Sequence, residues 1–519
     1  MSFYRIGIDV GGTNTDAVIL NEAMEVISAT KIITQDNVSE AILLALKEVV
    51  QQAGIPTEQI THAMLGTTHC TNAIVERKHL NKVGIIRIGA PASMAVKPLI
   101  GFPEDLQSHL GNEVYVVRGG HEYDGREIVP LDKQAIYDAA RKMKGKVDSV
   151  AITSIFSPVT QDHEEAAQAI VKEVLGDEIP ISLSFEIGSV GLIERENATI
   201  LNASVVNVAK AMANGFIAAL HEEGIDCQVY FGQNDGTLMS VEYAMKYPIY
   251  TIACGPTNSL RGASYLSDVD NGIVVDVGGT TTDVGVLVDT FPRESALAVE
   301  IGKVRTNFRM PDLVSIGLGG GTIIRIKEDN TFTIGPDSVG YRLKEKAMVF
   351  GGDTLTATDI AVFLGKANIG DYNNVAHLDV PLLEKIYQQM IAMVENAIDQ
   401  MKTSGEPEPV ILVGGGSVLF PEQLKGASHV YKPENFGVAN AIGSAISQVS
   451  GQVERIYSLD QFGRLEAIEE AKHLAIEEAI AAGANPDTCK IVEIEDVPLA
   501  YLPGNATRIS VKAAGELLK

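Results

Sequence analysis

The sequence predicts an α/β protein made of two related lobes, with an inserted α/β domain and a short α+β tail at the C-terminus. Three observations lead to this prediction. One segment occurs twice, at 6–20 and 273–287, with nine of fifteen positions identical. A strand-like run after the second copy ends in three glycines at 414–416. The chain has 519 residues, 45% of them hydrophobic, which is enough for lobes with separate cores.

Each copy of the repeat has the pattern of a β-hairpin. An apolar, β-branched run ends at Asp9 in the first copy and at Asp276 in the second, and a Gly-Gly pair, hydroxyl residues and another apolar run follow. Glycine lacks a Cβ, so the turn backbone can bring N–H groups close to a bound anion. A single copy could be an ordinary β-turn. Its recurrence in register favours a polyphosphate held between two lobes.

The two turns supply the candidate polyphosphate-binding residues. Asp9 and Asp276 end their strands at the same gap, and a magnesium ion with its waters best explains two carboxylates beside a polyphosphate. We therefore predict that both aspartates are catalytic and hold Mg²⁺. The predicted phosphate contacts are the turn residues Gly11, Gly12, Thr13, Asn14, Thr15, Gly278, Gly279, Thr280, Thr281 and Thr282.

A third element follows the second hairpin. The apolar run 410–413 has the pattern of a strand and is followed directly by Gly414, Gly415 and Gly416. Backbone without a Cβ can lie flat against a purine ring, so we predict that this turn binds the base of a nucleotide. Strand-to-helix turns commonly carry glycine, so the order of the three elements matters more than the turn itself. An actin-like ATPase requires this order.

Six further motifs are more specific, and with the repeats they span about residues 5 to 445: Gly66–Glu76, Gly119–Gly125, Glu194–Ala203, Gln233–Thr237, Cys254–Pro256 and Ser315–Gly321. With these motifs the chain resembles the actin, sugar-kinase and heat-shock-chaperone ATPase superfamily, whose lobes are ribonuclease H-like. Within it, the chain resembles the hydantoinase/oxoprolinase family, hydantoinase A subunit type. It departs from the family after Ser338, where Val339-Gly-Tyr-Arg replaces the usual Pro-Gly-Pro-Ala-Cys-Tyr-Gly segment. The departure bears on the substrate, the partner contacts or both.

The resemblance implies an ATP-dependent hydrolase subunit that phosphorylates the carbonyl oxygen of a cyclic amide, such as a hydantoin, oxoproline or a related lactam, ahead of ring opening. It also implies a separate hydantoinase B-like subunit for the hydrolytic half-reaction. Three alternatives stay open: a small-molecule kinase, an ATP-dependent carboxylase subunit of the same fold, and a non-catalytic module that ATP switches. The oligomeric state is open as well, a homo-oligomer included.

The repeats and motifs divide the chain into four parts. Residues 1–82 are expected to form the N-terminal part of the first ATPase lobe, 83–265 an inserted domain for substrate or partner, and 266–450 the second lobe with the adenosine turn. Residues 451–519 form a tail of unassigned role, in which helical spacing predicts a helix from Asp460 to Ala482 followed by strands.

The predicted insertion contains the candidate substrate-side catalytic residues. His121 and Asp124 lie in the glycine-framed segment Gly119–Arg126, whose density of ionisable groups favours a function over a solvated turn. Arg195, on a stretch with helical spacing, could hold an acyl phosphate or a substrate carboxylate, and pairing with a nearby Glu explains it equally well. The run Asp162–Glu165 offers metal-ligand residue types, but its Asp-x-x-Glu spacing favours a helix capping box.

The composition argues against several classes of protein. A net charge of -26 argues against nucleic acid as a partner, because the phosphate backbone would be repelled. No stretch approaches the roughly 18 uninterrupted apolar residues of a membrane span, and the N-terminus runs directly into the first strand without a signal peptide. We therefore expect a cytoplasmic protein without a membrane segment. The four scattered cysteines argue against a structural zinc site or a disulfide framework, and none is predicted to be a nucleophile.

Overall fold

The structure is a computed structural model that describes residues 3–34, 38–188, 190–295, 299–308, 310–378, 380–460, 463–499 and 504–518. Its strands, in chain order, are β1 Tyr4–Val10, β2 Asn14–Leu20, β3 Val26–Ile33, β4 Ile60–Thr67, β5 Val83–Ala90, β6 Val114–Arg118, β7 Ser149–Ser154, β8 Ile181–Leu183, β9 Gln228–Gly232, β10 Leu238–Ser240, β11 Gly272–Val277, β12 Thr282–Val288, β13 Phe291–Pro292, β14 Val299–Ile301, β15 Val304–Thr306, β16 Leu313–Ile316, β17 Thr322–Ile326, β18 Phe332–Ser338, β19 Glu408–Val413, β20 Ala427–Tyr431, β21 Val449–Ser458, β22 Lys490–Pro498 and β23 Ala506–Gly515. Its helices are α1 Val38–Ala53, α2 His69–Glu76, α3 Glu104–Leu110, α4 Lys133–Met143, α5 Asp162–Leu175, α6 Leu192–Glu222, α7 Val241–Lys246, α8 Cys254–Ser267, α9 Leu343–Lys346, α10 Ala357–Phe363, α11 Val380–Met401, α12 Ala439–Ile446 and α13 Arg464–Ala481.

The duplication predicted from the repeated segment extends to five strands in each lobe. In the first lobe the order is β3-β2-β1-β4-β9, with β1 antiparallel to β2 and parallel to β4. In the second lobe β16-β12-β11-β19-β20 has the same order, and β11 is likewise antiparallel to β12 and parallel to β19. The predicted fold class, two actin-like α/β lobes, is confirmed.

Two helices, α8 and α12, lie between the lobes and bring them close together. Leu260 of α8 packs in the core of the second sheet, and Ala441 of α12 packs against β2 of the first sheet. The two helices cross at glycines: a Cβ on Gly443 would lie 1.9 Å from the carbonyl oxygen of Asn258, and one on Gly262 would lie 1.8 Å from that of Ala439. Larger residues there would separate the helices, and with them the lobes.

The insertion contains a sheet of its own. Its four parallel strands have the order β6-β5-β7-β8 and occupy residues between 83 and 183. The later strands β9 and β10 belong to the first-lobe sheet, where β9 pairs with β4. The separate sheet thus ends well before the predicted boundary at 265, because residues 228–240 complete the first lobe. The sequence does not predict that the chain returns to the first-lobe sheet here, because the short strand before the motif at Gln233–Thr237 is not repeated in sequence in the second lobe.

The long helix α6 connects the insertion to the first lobe. Leu201 packs in the core under the inserted sheet, and Phe216, further along the helix, packs in the core of the first lobe. Among the described residues, α6 is the one helix long and apolar enough to cross a membrane, and 61% of its apolar stretch is buried inside the protein. Burial on several faces accounts for its all-round apolar sequence.

The C-terminal tail extends the first-lobe sheet. Strand β21 pairs with β10 in parallel at Leu238 and Val449, and β23 and β22 follow it outward. The predicted helix is α13. It presents alanines four residues apart, Ala467, Ala471, Ala475 and Ala479, all fully buried in the core of this lobe. These small side chains let the helix lie close to the sheet, and a Cβ on Gly451 would lie 2.0 Å from the Ala479 nitrogen.

Candidate active site

The two repeated turns have the same backbone geometry. Gly11 N donates to Asn14 O at 3.0 Å, and Gly278 N donates to Thr281 O at 2.9 Å at the equivalent place in the second lobe. The turns also meet across the lobes, because a Cβ on Gly279 would lie 2.9 Å from Thr13 Cγ2.

These turns line a cavity of about 610 Å³ between the lobes. It brings together most of the predicted ATP-site residues, namely Asp9, Gly11, Gly12, Thr13, Asn14, Asp276, Gly278, Gly279, Thr280, Thr281, Gly414, Gly415 and Gly416. Gly415 has open space where a Cβ would stand, so its backbone faces the cavity unobstructed. The geometry is compatible with the predicted phosphate and adenosine contacts, which stay predictions.

Thr15 and Thr282 do not line this cavity, contrary to the prediction that they contact phosphate. Both are fully buried behind the turns. Thr15 Oγ1 lies 3.0 Å from Thr34 Oγ1, and Thr282 Oγ1 donates to Leu318 O at 2.5 Å. The alternation of a strand places every second residue on the opposite face, so Thr15 and Thr282 point into the protein.

Asp9 is buried at the bottom of the cavity and is held by two amides. Its side chain is 3% exposed; Asn258 Nδ2 donates to Oδ1 at 3.3 Å and Asn440 Nδ2 donates to Oδ2 at 3.0 Å. Burial, the neighbouring Asp16 and, more weakly, Asp276 raise the pKa of Asp9 to about 6, while the two amides oppose the rise. An ionised carboxylate here is under electrostatic strain that a cation would relieve.

Asp276 occupies the equivalent place in the second lobe. Burial raises the pKa of its carboxyl group, opposed by a hydrogen bond with Ser259 and by the charge of Lys31. A Cβ on Gly414 would lie 2.2 Å from Asp276 Oδ1, so the predicted adenosine turn needs glycine at this position to pass the carboxylate.

Two further aspartates belong to this site and were missed as candidates. Asp16 is the cross-strand partner of Asp9, and Asp283 is the cross-strand partner of Asp276. Asp16 is 2% exposed and forms an ion pair with Lys31 at 2.5 Å. Burial and the charge of Asp276 raise the pKa of Asp283 to about 6, against a hydrogen bond with Ser315. Their signal was present in the sequence, because both copies of the repeat carry an Asp at this position.

The four aspartates fit a divalent cation. Oxygen ligands are those that Mg²⁺ prefers, and it binds phosphates through one or two carboxylates and water. Buried carboxylates this close together raise one another's pKa, which a shared ion of opposite charge would reverse. The carboxylate oxygens of this chain are suitable metal ligands, and their crowding favours binding of a cation. The identity of that ion as Mg²⁺ is a proposal.

The far wall of the cavity is formed by the starts of two helices. Thr68, Thr71 and Asn72 come from the start of α2, and Gly255 comes from the start of α8. Thr71 Oγ1 is buried and has no hydrogen-bond partner among the described residues. The first-turn N–H groups of a helix have no intrahelical partner, but Pro256 of α8 has no N–H and His69 N of α2 donates to Thr67 Oγ1 at 3.0 Å. The donors of this wall are therefore limited to the other first-turn N–H groups and the Thr71 hydroxyl.

His121 and Asp124 lie at a different cavity, of about 690 Å³, between the insertion and the C-terminal strands. Asp124 lines it and pairs with Arg126 at 2.7 Å, whereas His121 is 1% exposed behind it, with Nε2 at 3.3 Å from Asp162 Oδ1. This cavity shares no lining residue with the one at the phosphate turns, within the described parts of the chain. The structure therefore does not bring these two candidates to the aspartates.

The ligand atoms of His121, Asp162 and His163 lie within 4.8 Å of one another, as in a metal site. The hydrogen bonds of His163 argue against one. Its Nδ1 accepts from Gly120 N at 3.0 Å, so the proton of the neutral ring is on Nε2, which donates to Glu127 Oε1 at 2.9 Å. A metal-ligating histidine normally donates its second N–H instead.

The capping box predicted for Asp162–Glu165 is not formed, because the N-cap residue of α5 is Gln161, whose side chain makes no capping hydrogen bond.

Arg195 has a structural environment. It is fully buried, and it donates to Ser184 Oγ at 3.0 Å and to Ser154 O at 2.6 Å. Burial lowers its pKa to about 10, against the charge of Glu164, which is itself buried. These buried contacts and the nearby charge of Glu164 favour a structural role for Arg195 over a substrate contact, since Arg195 lines neither cavity.

Cys254 has the environment of a structural thiol. Its Sγ lies 3.2 Å from Thr67 N and 3.1 Å from Thr67 O, and the side chain is fully buried. Burial raises the pKa of this thiol far above its ordinary value. The thiolate needed for nucleophilic attack is therefore disfavoured.

Comparison with known proteins relates this chain to one family. The hydantoinase/oxoprolinase N-terminal region matches residues 5–175, and the hydantoinase/oxoprolinase region matches 195–404. The alpha subunit of caprolactamase from Pseudomonas jessenii is 26% identical over 88% of this chain and 67% of its own length. The beta subunit of acetone carboxylase from Xanthobacter autotrophicus is 25% identical over 70% of this chain and 54% of its own length.

The crystal structure of ATP-dependent caprolactamase from Pseudomonas jessenii has the same fold, with a TM-score of 0.81 at 19% identity, over 99% of this chain and 88% of that one. These two curated relatives are longer than this chain, which spans 67% and 54% of their lengths. The two matched regions together cover most of the sequence, in the order of the family. The chain therefore belongs to the hydantoinase/oxoprolinase family.

Proposed function

We propose that this chain is an ATP-dependent enzyme subunit that phosphorylates the carbonyl oxygen of a cyclic amide ahead of ring opening. The observation that carries the proposal is the cavity in which two equivalent turns and four aspartates, contributed equally by the two lobes, face one another. Caprolactamase, a relative by sequence and by fold, acts on a cyclic amide as its name states. The substrate of this chain is inferred from that likeness.

Each part of the cavity has a role in this proposal. The turn amides and the hydroxyls of Thr13 and Thr280 bind the phosphates, and the glycines at 414–416 accept the adenine. Asp9 and Asp276 orient Mg²⁺, which when bound neutralises charge on the transferring phosphoryl group. The acceptor carbonyl lies against the starts of α2 and α8, where Thr71 Oγ1 has no partner among the described residues. Phosphorylation turns this poor electrophile into one with a phosphate leaving group.

The second half-reaction is assigned to a partner. Both named relatives are subunits, one called alpha and the other beta. We propose a hydantoinase B-like partner that hydrolyses the activated amide, with the insertion and its cavity at Asp124 as the substrate or partner side. A homo-oligomer and a cytoplasmic location stay predictions.

The proposal is tested by ADP release against a panel of hydantoins, lactams and ketones, with and without the product of a neighbouring B-type gene. We expect slow ATP loss from the chain alone, and ring-opened product matching ADP once the partner is added. Stoichiometric ring opening by this chain alone would contradict the partner assignment. ADP release stimulated by a ketone and bicarbonate, but by no cyclic amide, would favour an ATP-dependent carboxylase subunit. The likeness to the acetone carboxylase beta subunit is the reason for testing this alternative.

A kinase and a non-catalytic module would each give a distinct result in the same assays. A small-molecule kinase would release a stable phosphorylated product without any partner. A non-catalytic module would bind ATP tightly and show negligible turnover with every compound tried. Either result would replace the proposed reaction while leaving the ATP site in place.

A further inference from the structure

Lys31 brings an ammonium group to the four aspartates. It lies on β3 opposite Asp16 of β2, and its Nζ is 2.5 Å from Asp16 Oδ1. The Lys31 side chain is 33% exposed and lines the cavity, whereas that of Asp16 is 3% exposed beneath it. Its charge also acts on Asp276 of the opposite lobe, whose raised pKa it partly lowers. The charge of one ammonium group therefore acts on carboxylates from both lobes.

A second lysine of the same cavity provides a contrast. Lys344, on α9, also lines the cavity. Its charge is not among the main causes of the raised pKa values of Asp9, Asp16, Asp276 or Asp283. The two lysines thus differ in their coupling to the aspartates, although both add a positive charge to the cavity.

The position of Lys31 conflicts with a metal ion bound to the same carboxylates. A divalent cation held by Asp9 and Asp276 and an ammonium paired with Asp16, the cross-strand partner of Asp9, repel each other. A lysine is a point charge on a flexible four-carbon stem, so its ammonium can move several ångströms while its backbone stays in the strand. Phosphate oxygens bound beside the cavity wall would give it a new partner.

We propose that Lys31 is a displaceable cation of the active site: without nucleotide its ammonium neutralises Asp16, and when ATP and its metal ion bind, it moves to the phosphates. This proposal rests on the proposed ATP site. It makes the metal and the nucleotide bind cooperatively, because the ammonium disfavours the metal until phosphate attracts it away. Lys31 is then a phosphate-positioning residue that also keeps the empty site free of metal.

The test is Mn²⁺ binding to the full chain, followed by electron paramagnetic resonance with and without ATP. In the wild type we expect weak Mn²⁺ binding alone and tight binding with ATP. Lys31→Met removes the competing charge, so Mn²⁺ should bind the nucleotide-free variant at least about tenfold more tightly, while ATP turnover falls by at least about tenfold. Lys31→Arg keeps the charge and should retain weak binding, and Lys344→Met should change Mn²⁺ affinity by less than about twofold.

The outcomes separate this proposal from the function on which it rests. If the wild type binds neither ATP nor Mn²⁺ with ATP, the proposed ATP site is wrong. If it binds both but Lys31→Met leaves Mn²⁺ affinity unchanged or weaker, Lys31 only pairs two strands and the displacement is wrong. Lys31→Gln serves as a second neutral variant. Unfolding of both neutral variants, seen by circular dichroism, would also overturn the proposal, since a residue required for folding through Asp16 cannot leave it.

Discussion

The side-chain amide of Asn440 donates a hydrogen bond to Asp9 Oδ2 at 3.0 Å, although 431 residues separate the two in the sequence. The same nitrogen donates to Asp16 Oδ2 at 2.9 Å. One amide at the start of α12 thereby holds both carboxylates of the first hairpin. The first half of the site is complete only when a helix from near the end of the second lobe has packed against it.

Neutralising either strand-end aspartate, Asp9 or Asp276, should lower the affinity for Mg-ATP to a similar extent. Asp9→Asn and Asp276→Asn each remove one of the charges proposed to hold the same ion, so Mg-ATP affinity should fall by at least about tenfold. Turnover should fall further, because the ion also neutralises the transferring phosphoryl group. Calorimetry with Mg-ATP and steady-state ADP release measure the two effects.

A control for this pair is Asp337→Asn, which removes a charge from an exposed ion pair with Arg325 on the second lobe. It should leave both measurements unchanged. Unchanged Mg-ATP affinity and turnover in Asp9→Asn and Asp276→Asn would contradict the proposed ATP site between the two lobes.

The neighbouring threonines of one turn should have separable effects. Thr280→Val removes a hydroxyl that faces the cavity, and we expect a higher KM for ATP with unchanged stability. Thr282→Val leaves the carbonyl of Leu318 without its donor, which should cost about 1–3 kcal/mol of unfolding free energy while the KM for ATP stays the same. Urea unfolding and ATP kinetics on both variants decide the matter. The reverse assignment of effects would restore Thr282 to the phosphate site.

Replacing Arg195 should affect folding and leave catalysis in the folded fraction intact. Arg195→Met leaves the buried carbonyl of Ser154 without its donor and removes the charge that partly lowers the raised pKa of Glu164, so we expect a loss of about 1–3 kcal/mol of unfolding free energy. The double variant Arg195→Met/Glu164→Gln should recover part of that loss in urea unfolding. A stable Arg195→Met protein with strongly reduced kcat would instead assign Arg195 to the substrate.

The cavity at the insertion should influence substrate use without affecting ATP binding. His121→Ala and Asp124→Ala change residues that belong to this second cavity or lie behind it, so the Kd for Mg-ATP should change by less than about twofold. Substrate-stimulated turnover should fall. Lys172→Ala, an exposed position on α5, is the matched control. Loss of nucleotide binding in the two test variants would place this turn in the ATP site or in the core.

The sequence predicted the parts of the site that lie within a repeated turn and missed those that depend on packing between distant elements. The local pattern of Asp followed by a Gly-Gly pair occurs in both copies of the repeat, and it contains Asp9 and Asp276. Thr15 and Thr282 lie in the same repeat, but strand alternation buries them, which the motif alone does not distinguish. Asn440 lies in an apolar, glycine-containing helix with no motif, so only the crossing of α8 and α12 reveals its contact with Asp9.

The last prediction concerns the pH dependence of stability at Asp283. Burial and the charge of Asp276 raise its pKa to about 6, above the ordinary value of 3.8 expected in an unfolded chain. Folding then disfavours the ionised form, so this carboxylate lowers stability above pH 6 and has no effect below its unfolded pKa. Asp283→Asn abolishes the ionisation. Its advantage over the wild type in urea unfolding should grow between about pH 4 and pH 6 and reach roughly 1–3 kcal/mol at about pH 8.

Asp337→Asn again supplies the baseline for removing a surface carboxylate of the same lobe. The amide introduced at position 283 also changes the contact with Ser315, but that effect is independent of pH and shifts the whole curve. The diagnostic quantity is therefore the difference between the unfolding free energies of variant and wild type at about pH 8 minus that at about pH 5. A difference of zero, or one that shrinks as the pH rises, would contradict the raised pKa that burial and the charge of Asp276 give Asp283, and with it the electrostatic need for a cation in this cavity.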